Sequence, residues 1–359
     1  MLAITDLSEV QSVKIAVLCG GLSNERDVSI SSGTGIARAL REAGHRVVLV
    51  DLFLGYTKPF ESADELFTES GENDPFIVGE TAPDLAQVRA MRPGQGKVGP
   101  QVLEICRQAD IVFLALHGEE GENGKVQALL DLYGIRYTGS GYLGSAIAMN
   151  KGLTKSLLKE AGIAVPGGIV LQKGEKPAEL PEFPCVVKPV SGGSSVGTTI
   201  VQNEAEFKAA LDLSFAYEDS AIIEGFVSGR ELTVGVIDGK AMPVIEIRPK
   251  NGFYDYKNKY QPGLTEELCP APLTPEETVQ VQRLAEQVFT VLKLDAYGRM
   301  DFILDAKGRF FCLEANTLPG MTPTSLVPQM GAAMGLSYAQ LCEKLIDASV
   351  KRYEREAAE

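Results

Sequence analysis

Residues 299–316 constrain the fold more than any other stretch of this chain: Arg-Met-Asp-Phe-Ile-Leu-Asp-Ala-Lys-Gly-Arg-Phe-Phe-Cys-Leu-Glu-Ala-Asn. The runs around Asp301–Leu304 and Phe310–Leu313 are rich in β-branched or aromatic residues, and Asp305-Ala-Lys-Gly308 between them is turn material. That spacing predicts a β-hairpin. A two-residue loop at Ala306 and Lys307 sets Arg299 opposite Glu314 and Asp301 opposite Cys312. Side chains alternate with period two, so Arg299, Asp301, Glu314 and Asn316 share one face. Two carboxylates, an amide oxygen and a guanidinium on one patch suit Mg²⁺, which binds a few protein oxygens together with substrate phosphates. An ordinary solvated hairpin face carries the same residue types, so the rest of the chain must decide.

The second signal is Lys188-Pro-Val-Ser-Gly-Gly-Ser-Ser-Val-Gly-Thr-Thr199. Glycines let backbone N–H groups turn toward one point, and the serines add hydroxyl donors, a nest that suits phosphate oxygens. The stretch fits neither G-x-x-x-x-G-K-[ST] nor G-x-G-x-x-G. Strand-like runs at Val186-Val187-Lys188 and Thr199–Val201 flank it, which predicts a hairpin flap over a nucleotide. A lysine borne on such a strand needs a partner for its charge.

Along the chain, Val13–Leu18 reads as a buried strand ending at Cys19-Gly-Gly21. An amphipathic helix over Ser29–Ala43 and a strand over Arg46–Asp51 follow, a β-α-β start that implies a parallel sheet. Residues from about 55 to 100 read as an insertion of loops with one short helix around Leu85–Met91. A strand at Ile111–Leu116 leads into His117-Gly-Glu-Glu-Gly-Glu-Asn-Gly124. Lys151–Ala161 is a helix closed by Gly162. Ala221–Phe226, Glu231–Ile237 and Lys240–Arg248 look like antiparallel strands. Thr274–Leu292 is a helix with Thr274 at its N-cap and Pro275 at its first position. The last helix runs over Ser337–Arg355. Three lobes are expected: 1–139, 140–222 with the flap, and 223–359 with the hairpin.

At 359 residues the chain is long enough for several cores. Its net charge of −14 argues against general nucleic-acid binding. No apolar run reaches the roughly 20 residues of a membrane span. The N-terminus lacks a signal-peptide pattern. The six cysteines are scattered without C-x-x-C. A reducing cytoplasm is expected. Two histidines are too few for a multi-histidine zinc site.

The flap, the lysines Lys151 and Lys188, and the Asp…Glu-x-Asn face together resemble the ATP-grasp superfamily, and within it the D-alanine–D-alanine ligases. The blocks that carry the resemblance are Gly20-Gly-Leu-Ser-Asn-Glu25-Arg-Asp-Val-Ser29, Leu116-His117-Gly118, Tyr137-Thr-Gly-Ser-Gly141, the 188–199 loop, Phe253-Tyr-Asp-Tyr-Lys-Asn-Lys259-Tyr260 and Glu314-Ala-Asn-Thr-Leu-Pro-Gly320-Met-Thr322. They span about 13 to 350 in the family's order. Asn123 and Ala128 depart from the aspartate and glycine usual in the family, and neither removes an expected catalytic group.

The resemblance implies a fold that is α/β and α+β: a three-lobed ATP-grasp fold with an N-terminal parallel α/β domain and ATP between the central and C-terminal α+β lobes. It implies ATP and two Mg²⁺ (or Mn²⁺) ions, with K⁺ as a further candidate, D-alanine as substrate, no nucleic-acid or membrane partner, and a homodimer. Lys151, Lys188, Ser195 and Lys259 match phosphate- or nucleotide-contacting residues. Glu224, Phe226 and Val227 match the adenine hinge, and Glu231 the ribose acid. Asp301, Glu314 and Asn316 match metal ligands. Arg299 and the backbone of Gly320 match oxyanion stabilisers. Glu25 matches the group that binds the first ammonium and links through Ser194 to Tyr260. His117 stands near that first substrate, as a ligand or as a packing residue. Ser325 and Leu326 match residues at the second substrate's carboxylate.

Three other readings compete. The nearest is a D-alanine–D-lactate or D-alanine–D-serine ligase, against which Tyr260 favours an amine nucleophile, since D-lactate-preferring relatives lack a tyrosine there. A nicotinamide oxidoreductase fits the β-α-β start, but its first turn lacks G-x-G-x-x-G. A nucleotide binder without catalysis fits poorly with the full set Arg299, Asp301, Glu314 and Asn316.

Overall fold

The computed structural model describes residues 12–68, 76, 78–79, 83–94, 96–193, 195–250 and 263–358. Three strands, β1 (Lys14–Cys19), β2 (Arg46–Asp51) and β3 (Ile111–Leu114), form a parallel sheet in the order β2-β1-β3. β1 reads Lys-Ile-Ala-Val-Leu-Cys, apolar without alternation, as a strand covered on both faces requires. Helix Arg26–Glu42 makes the β1-to-β2 crossover. It begins three residues before the expected Ser29, so Glu25 is its N-cap residue at the C-terminal edge of the sheet. The insertion carries helix Leu85–Met91, with Asp84 capping the amides of Ala86 and Gln87, and a shorter helix Ala63–Leu66. Its Val88 packs on Leu22 and Phe53, and its Lys97 pairs with Glu120, so the insertion lies against the loops at that edge.

The central sheet holds β4 (Gly168–Gln172), β5 (Cys185–Pro189), β6 (Thr199–Val201) and β7 (Ser220–Gly225), antiparallel in the order β4-β7-β5-β6. β7 belongs here, so the chain changes sheet after Gly225 rather than at 222/223. The third sheet holds β8 (Gly229–Ile237), β9 (Lys240–Pro249), β10 (Thr265–Leu268), β11 (Tyr297–Asp305) and β12 (Phe310–Asn316), in the order β10-β9-β8-β11-β12. Helix Pro275–Val291 covers one face. A capping box fixes its start: Glu277 N–H donates to Thr274 Oγ1 at 3.2 Å, and Thr274 N–H donates to Glu277 Oε2 at 2.9 Å.

The β11–β12 hairpin forms as expected but in a different register. Arg299 pairs with Asn316 and Asp301 with Glu314, not Arg299 with Glu314 and Asp301 with Cys312. Two features of the hairpin cause the shift. The loop contains three residues, Ala306 to Gly308, with Gly308 at φ +75° and Asp305 N–H bonded to Arg309 O. A bulge then interrupts the ladder between Asp301 and Phe302. The bulge also reverses the side-chain phase on β12. Phe310 and Cys312 point into the core with Phe302, while Glu314 and Asn316 face the site beside Asp301.

The sheet-three core holds Leu232, Val288, Met300 and Phe302. The N-terminal core does not stop at the first lobe. It continues through Leu318, Met321 and Leu326 into the last helix, Tyr338–Ala358, at Leu341 and Leu345. The loop after β12 is therefore packed between the first and last lobes.

Candidate active site

Asp301 is buried on β11, and its carboxylate is the hub of the hairpin face. It accepts from Thr233 Oγ1 at 2.6 Å, from Arg299 Nε and Nη2 at 3.0 Å each, and from Asn316 Nδ2 at 3.0 Å. Glu314 stands directly across the ladder and pairs with Lys151 at 3.6 Å. Among the described residues no group of three or more His, Cys, Asp or Glu could hold a metal by itself. Two carboxylates and an amide oxygen on a cavity wall fit Mg²⁺, which takes few protein oxygens and completes its shell with water and phosphate.

Lys151 and Lys188 stand on the same wall, and Lys155 is buried beside them. Glu224, 3 % exposed on β7, pairs with Lys188 Nζ on β5 and Lys155 Nζ on helix Lys151–Glu160, both at 3.2 Å. Lys151 opens that helix, and its Nζ donates to Gly192 O of the flap. Burial lowers the Lys151 and Lys155 pKa values, while Glu314 opposes the shift at Lys151 and Glu224 at Lys155. The backbone of Glu224 lies between β4 and β5, an interior strand position one residue before β7 ends at Gly225. Phe226, half exposed where the chain leaves the sheet, donates its amide to Pro184 O. Lys188, Ser195, Glu231, Asp301 and Glu314 line one cavity of about 180 Å³ between the central and last sheets. Ser195 there adopts φ +59°, a conformation that costs a non-glycine residue and recurs at functional loops.

A second cavity of about 90 Å³ adjoins it, lined by Glu25, His117, Glu122, Arg299, Asn316 and Ser325 among others. Lys151, Gly192, Gly193 and Glu314 border both cavities. Two glycines let backbone close on Glu25. A Cβ at Gly193 would lie 2.7 Å from Glu25 Oε2, and one at Gly118, whose φ is +65°, 2.8 Å. His117 lies on the wall, but both ring nitrogens are engaged by protein: Nδ1 with Leu318 O at 2.9 Å and Nε2 with Ser32 Oγ at 3.1 Å. A carbonyl must accept, so Nδ1 carries the proton and Ser32 donates to Nε2 of a neutral ring. Burial lowers the His117 pKa, with Glu25 opposing. Glu122 accepts from Gly118 N–H at 2.7 Å and Leu318 N–H at 3.3 Å, and burial followed by the Glu25 charge pushes its pKa up to about 7.

The His117 shift has a consequence for stability. The unfolded chain takes up that proton first, so the stabilisation is whole above the ordinary histidine pKa and is lost as pH falls below it. His117→Gln is expected to lose less thermal stability than wild type on acidification from about pH 7 to about pH 5. Parallel melting curves for the two proteins over that window would contradict a buried neutral ring.

The loop after β12 completes the wall. Gly320 approaches Ser325 closely, a Cβ there lying 2.8 Å from Ser325 Oγ. Thr322 N–H donates to Ser325 Oγ at 3.0 Å, and Ser325 is the N-cap residue of helix Leu326–Ala333. Its side chain caps no helix amide, and Ser325 and Leu326 both line the second cavity, so the start of the helix lies at its wall.

Ser194, Lys259 and Tyr260 lie outside the described residues. Lys155, Thr233, Glu122 and Ser32 belong to the site or its support and were not singled out from the sequence. Lys155 alone had a readable signal: it follows Lys151 by four residues on one helix face.

Residues 157–347 match the family model described as "D-ala D-ala ligase C-terminus", and residues 14–140 match "D-ala D-ala ligase N-terminus". A protein from Lacticaseibacillus casei (strain BL23) named D-alanine–D-alanine ligase is 43% identical over 346 residues, covering 95% of this chain and 97% of that relative. A second with that name, from Syntrophotalea carbinolica, is 41% identical over 94% of this chain and 96% of its own length. The crystal structure of D-alanine–D-alanine ligase from Bacillus anthracis complexed with ATP superposes with a TM-score of 0.75 at 29% identity, covering 96% of this chain and all of that one (100%).

Proposed function

This chain belongs to the D-alanine–D-alanine ligase family, and from that membership we propose that it joins two D-alanine molecules, with ATP giving ADP and phosphate. The observation that carries the reading is the pair of adjoining cavities, with Lys151 and Glu314 on their common border. One holds the lysines and Glu231 suited to a nucleotide. The other holds an acid for an ammonium and a helix N-terminus for a carboxylate.

Lys188, Lys151 and the flap amides bind the phosphates, and Glu231 the ribose. Asp301, Glu314 and Asn316 would hold Mg²⁺, which would supply positive charge to offset that of the phosphates. Glu25 binds the ammonium of the first D-alanine at the N-terminus of helix Arg26–Glu42. The carboxylate of that D-alanine attacks the γ-phosphorus, and ADP leaves. Arg299 faces the acyl phosphate so formed. The second D-alanine lies with its carboxylate at Ser325 and Leu326. Its amine, having lost a proton, attacks the acyl carbon. Arg299 and the Gly320 backbone stabilise the oxyanion, which collapses with loss of phosphate. Phosphate is the better leaving group than a free carboxylate oxygen, which is why the reaction consumes ATP. Closure of the flap, whose Gly192 and Gly193 border both cavities, would keep water from the acyl phosphate.

No described helix is long and apolar enough to cross a membrane. The test is phosphate release with ATP, Mg²⁺ and D-alanine, with D-serine or D-lactate offered as second substrate and products identified. D-Alanyl-D-alanine is the expected main product. ATP turnover indifferent to D-alanine, or a depsipeptide as main product, overturns the reading.

A further inference from the structure

One short loop of the last lobe is gripped on both sides of Gly320. Leu318 N–H donates to Glu122 Oε1 at 3.3 Å, and Leu318 O accepts from His117 Nδ1 at 2.9 Å. Met321 N–H donates to Ser32 Oγ at 3.3 Å, and Met321 O accepts from the Tyr338 hydroxyl at 2.5 Å. Ser32, His117 and Glu122 all come from the N-terminal domain. The other oxygen of Glu122 takes Gly118 N–H at 2.7 Å, in the loop that closes on Glu25. One carboxylate therefore joins the loop beside the first-substrate acid to the loop beside the oxyanion group.

We propose that Glu122, acting with Ser32 and His117, is a positioning residue that sets the Leu318–Met321 loop in register with Glu25. The inference rests on the ligase reading above. Its physical ground is the division of the site between lobes. Glu25 is carried by the N-terminal domain, and Arg299 and Gly320 by the last lobe, yet all must meet one acyl group. A misplacement of about 1 Å between such groups costs on the order of a hundredfold in rate. A carboxylate suits the task because each oxygen accepts one amide. Glutamine has a single acceptor oxygen and turns an N–H₂ toward the other amide.

The test uses full-length Glu122→Gln and Ser32→Ala. Ser32 is fully buried behind His117 and is not among the residues lining the cavity, so it cannot be a substrate ligand there. In both variants amide hydrogen exchange over 316–322 is expected to rise, by about tenfold for Glu122→Gln. The kcat of Glu122→Gln should fall by about ten- to a hundredfold and that of Ser32→Ala by less, with the KM for ATP little changed. ATP consumed per dipeptide should exceed one, because an acyl phosphate facing a displaced loop is left to water. Unchanged exchange over 316–322 in Glu122→Gln overturns the proposal. So does a raised KM for D-alanine with unaltered kcat and coupling, which marks a substrate ligand instead. Should Glu122→Gln not fold, Ser32→Ala decides alone by the same two readouts. Failure of the wild type to make dipeptide overturns the ligase reading while the exchange comparison still judges the loop.

Discussion

Glu314→Gln is expected to remove nearly all turnover while leaving the fold in place. The side chain lies opposite Asp301 on the hairpin and borders both cavities. Glutamine keeps its size, so the packing of β12 has no reason to change. What changes is charge, twice over. A neutral amide is a much weaker ligand for a hard cation than a carboxylate. Lys151 also loses the negative neighbour at 3.6 Å that opposes the lowering of its pKa by burial, so its protonated form becomes harder to keep. Both effects weaken the grip on developing phosphate charge. Losing one such electrostatic group costs about 3–4 kcal/mol of transition-state stabilisation, or roughly a hundred- to a thousandfold in kcat. Turnover measured across a Mg²⁺ titration checks this. A near wild-type rate at limiting Mg²⁺ rules out Glu314 as a metal ligand.

Glu224→Ala is expected to damage stability more than any other single change near the site. Its carboxylate is the common partner of Lys155 and Lys188 in a nearly dry environment. Removing it leaves two ammonium groups facing each other, one of them buried. Breaking a buried pair from one side typically costs about 3–5 kcal/mol. Lys155, whose pKa burial already lowers, answers by shedding its proton, so the loss should grow as pH falls and the lysines are forced to stay charged. Denaturant unfolding of wild type and variant at two pH values measures both the size and the slope. A loss below about 1 kcal/mol means that the lysines find other partners and that the cluster is not what aligns β5 with helix Lys151–Glu160. Glu224→Gln should fall between the two, since the amide oxygen still accepts from one lysine.

Local patterns in the sequence carry much of this protein. Apolar β1 and β3 imply a covered parallel sheet, and Thr274-Pro275 marks a helix start that the structure reproduces with its capping box. The Gly/Ser stretch after Lys188 reads as a loop between two strands, and β5 and β6 pair as that reading requires. Such features are legible because the forces behind them act over a few residues: alternation, capping and turn geometry. The four groups Arg299, Asp301, Glu314 and Asn316 could be assigned to one face for the same reason.

How that face is assembled was beyond local reasoning. The bulge beside Asp301 and the outward turn of the Cys312 amide to Ala164 O depend on packing against a segment far back in the chain. They decide that the two carboxylates stand directly opposite each other. The side chains behind the site were still less visible. Glu122 reads as one acid among several in a polar loop, Lys155 as one lysine on an amphipathic helix, and Ser32 as a small helix residue. Each gains its role from a partner distant in sequence: Leu318, Glu224 and Met321. Local pattern is enough to mark most of the elements and the residue types that reach the site. Which of those groups meet is set in three dimensions, because burial and long-range hydrogen bonds act between segments that no local pattern relates.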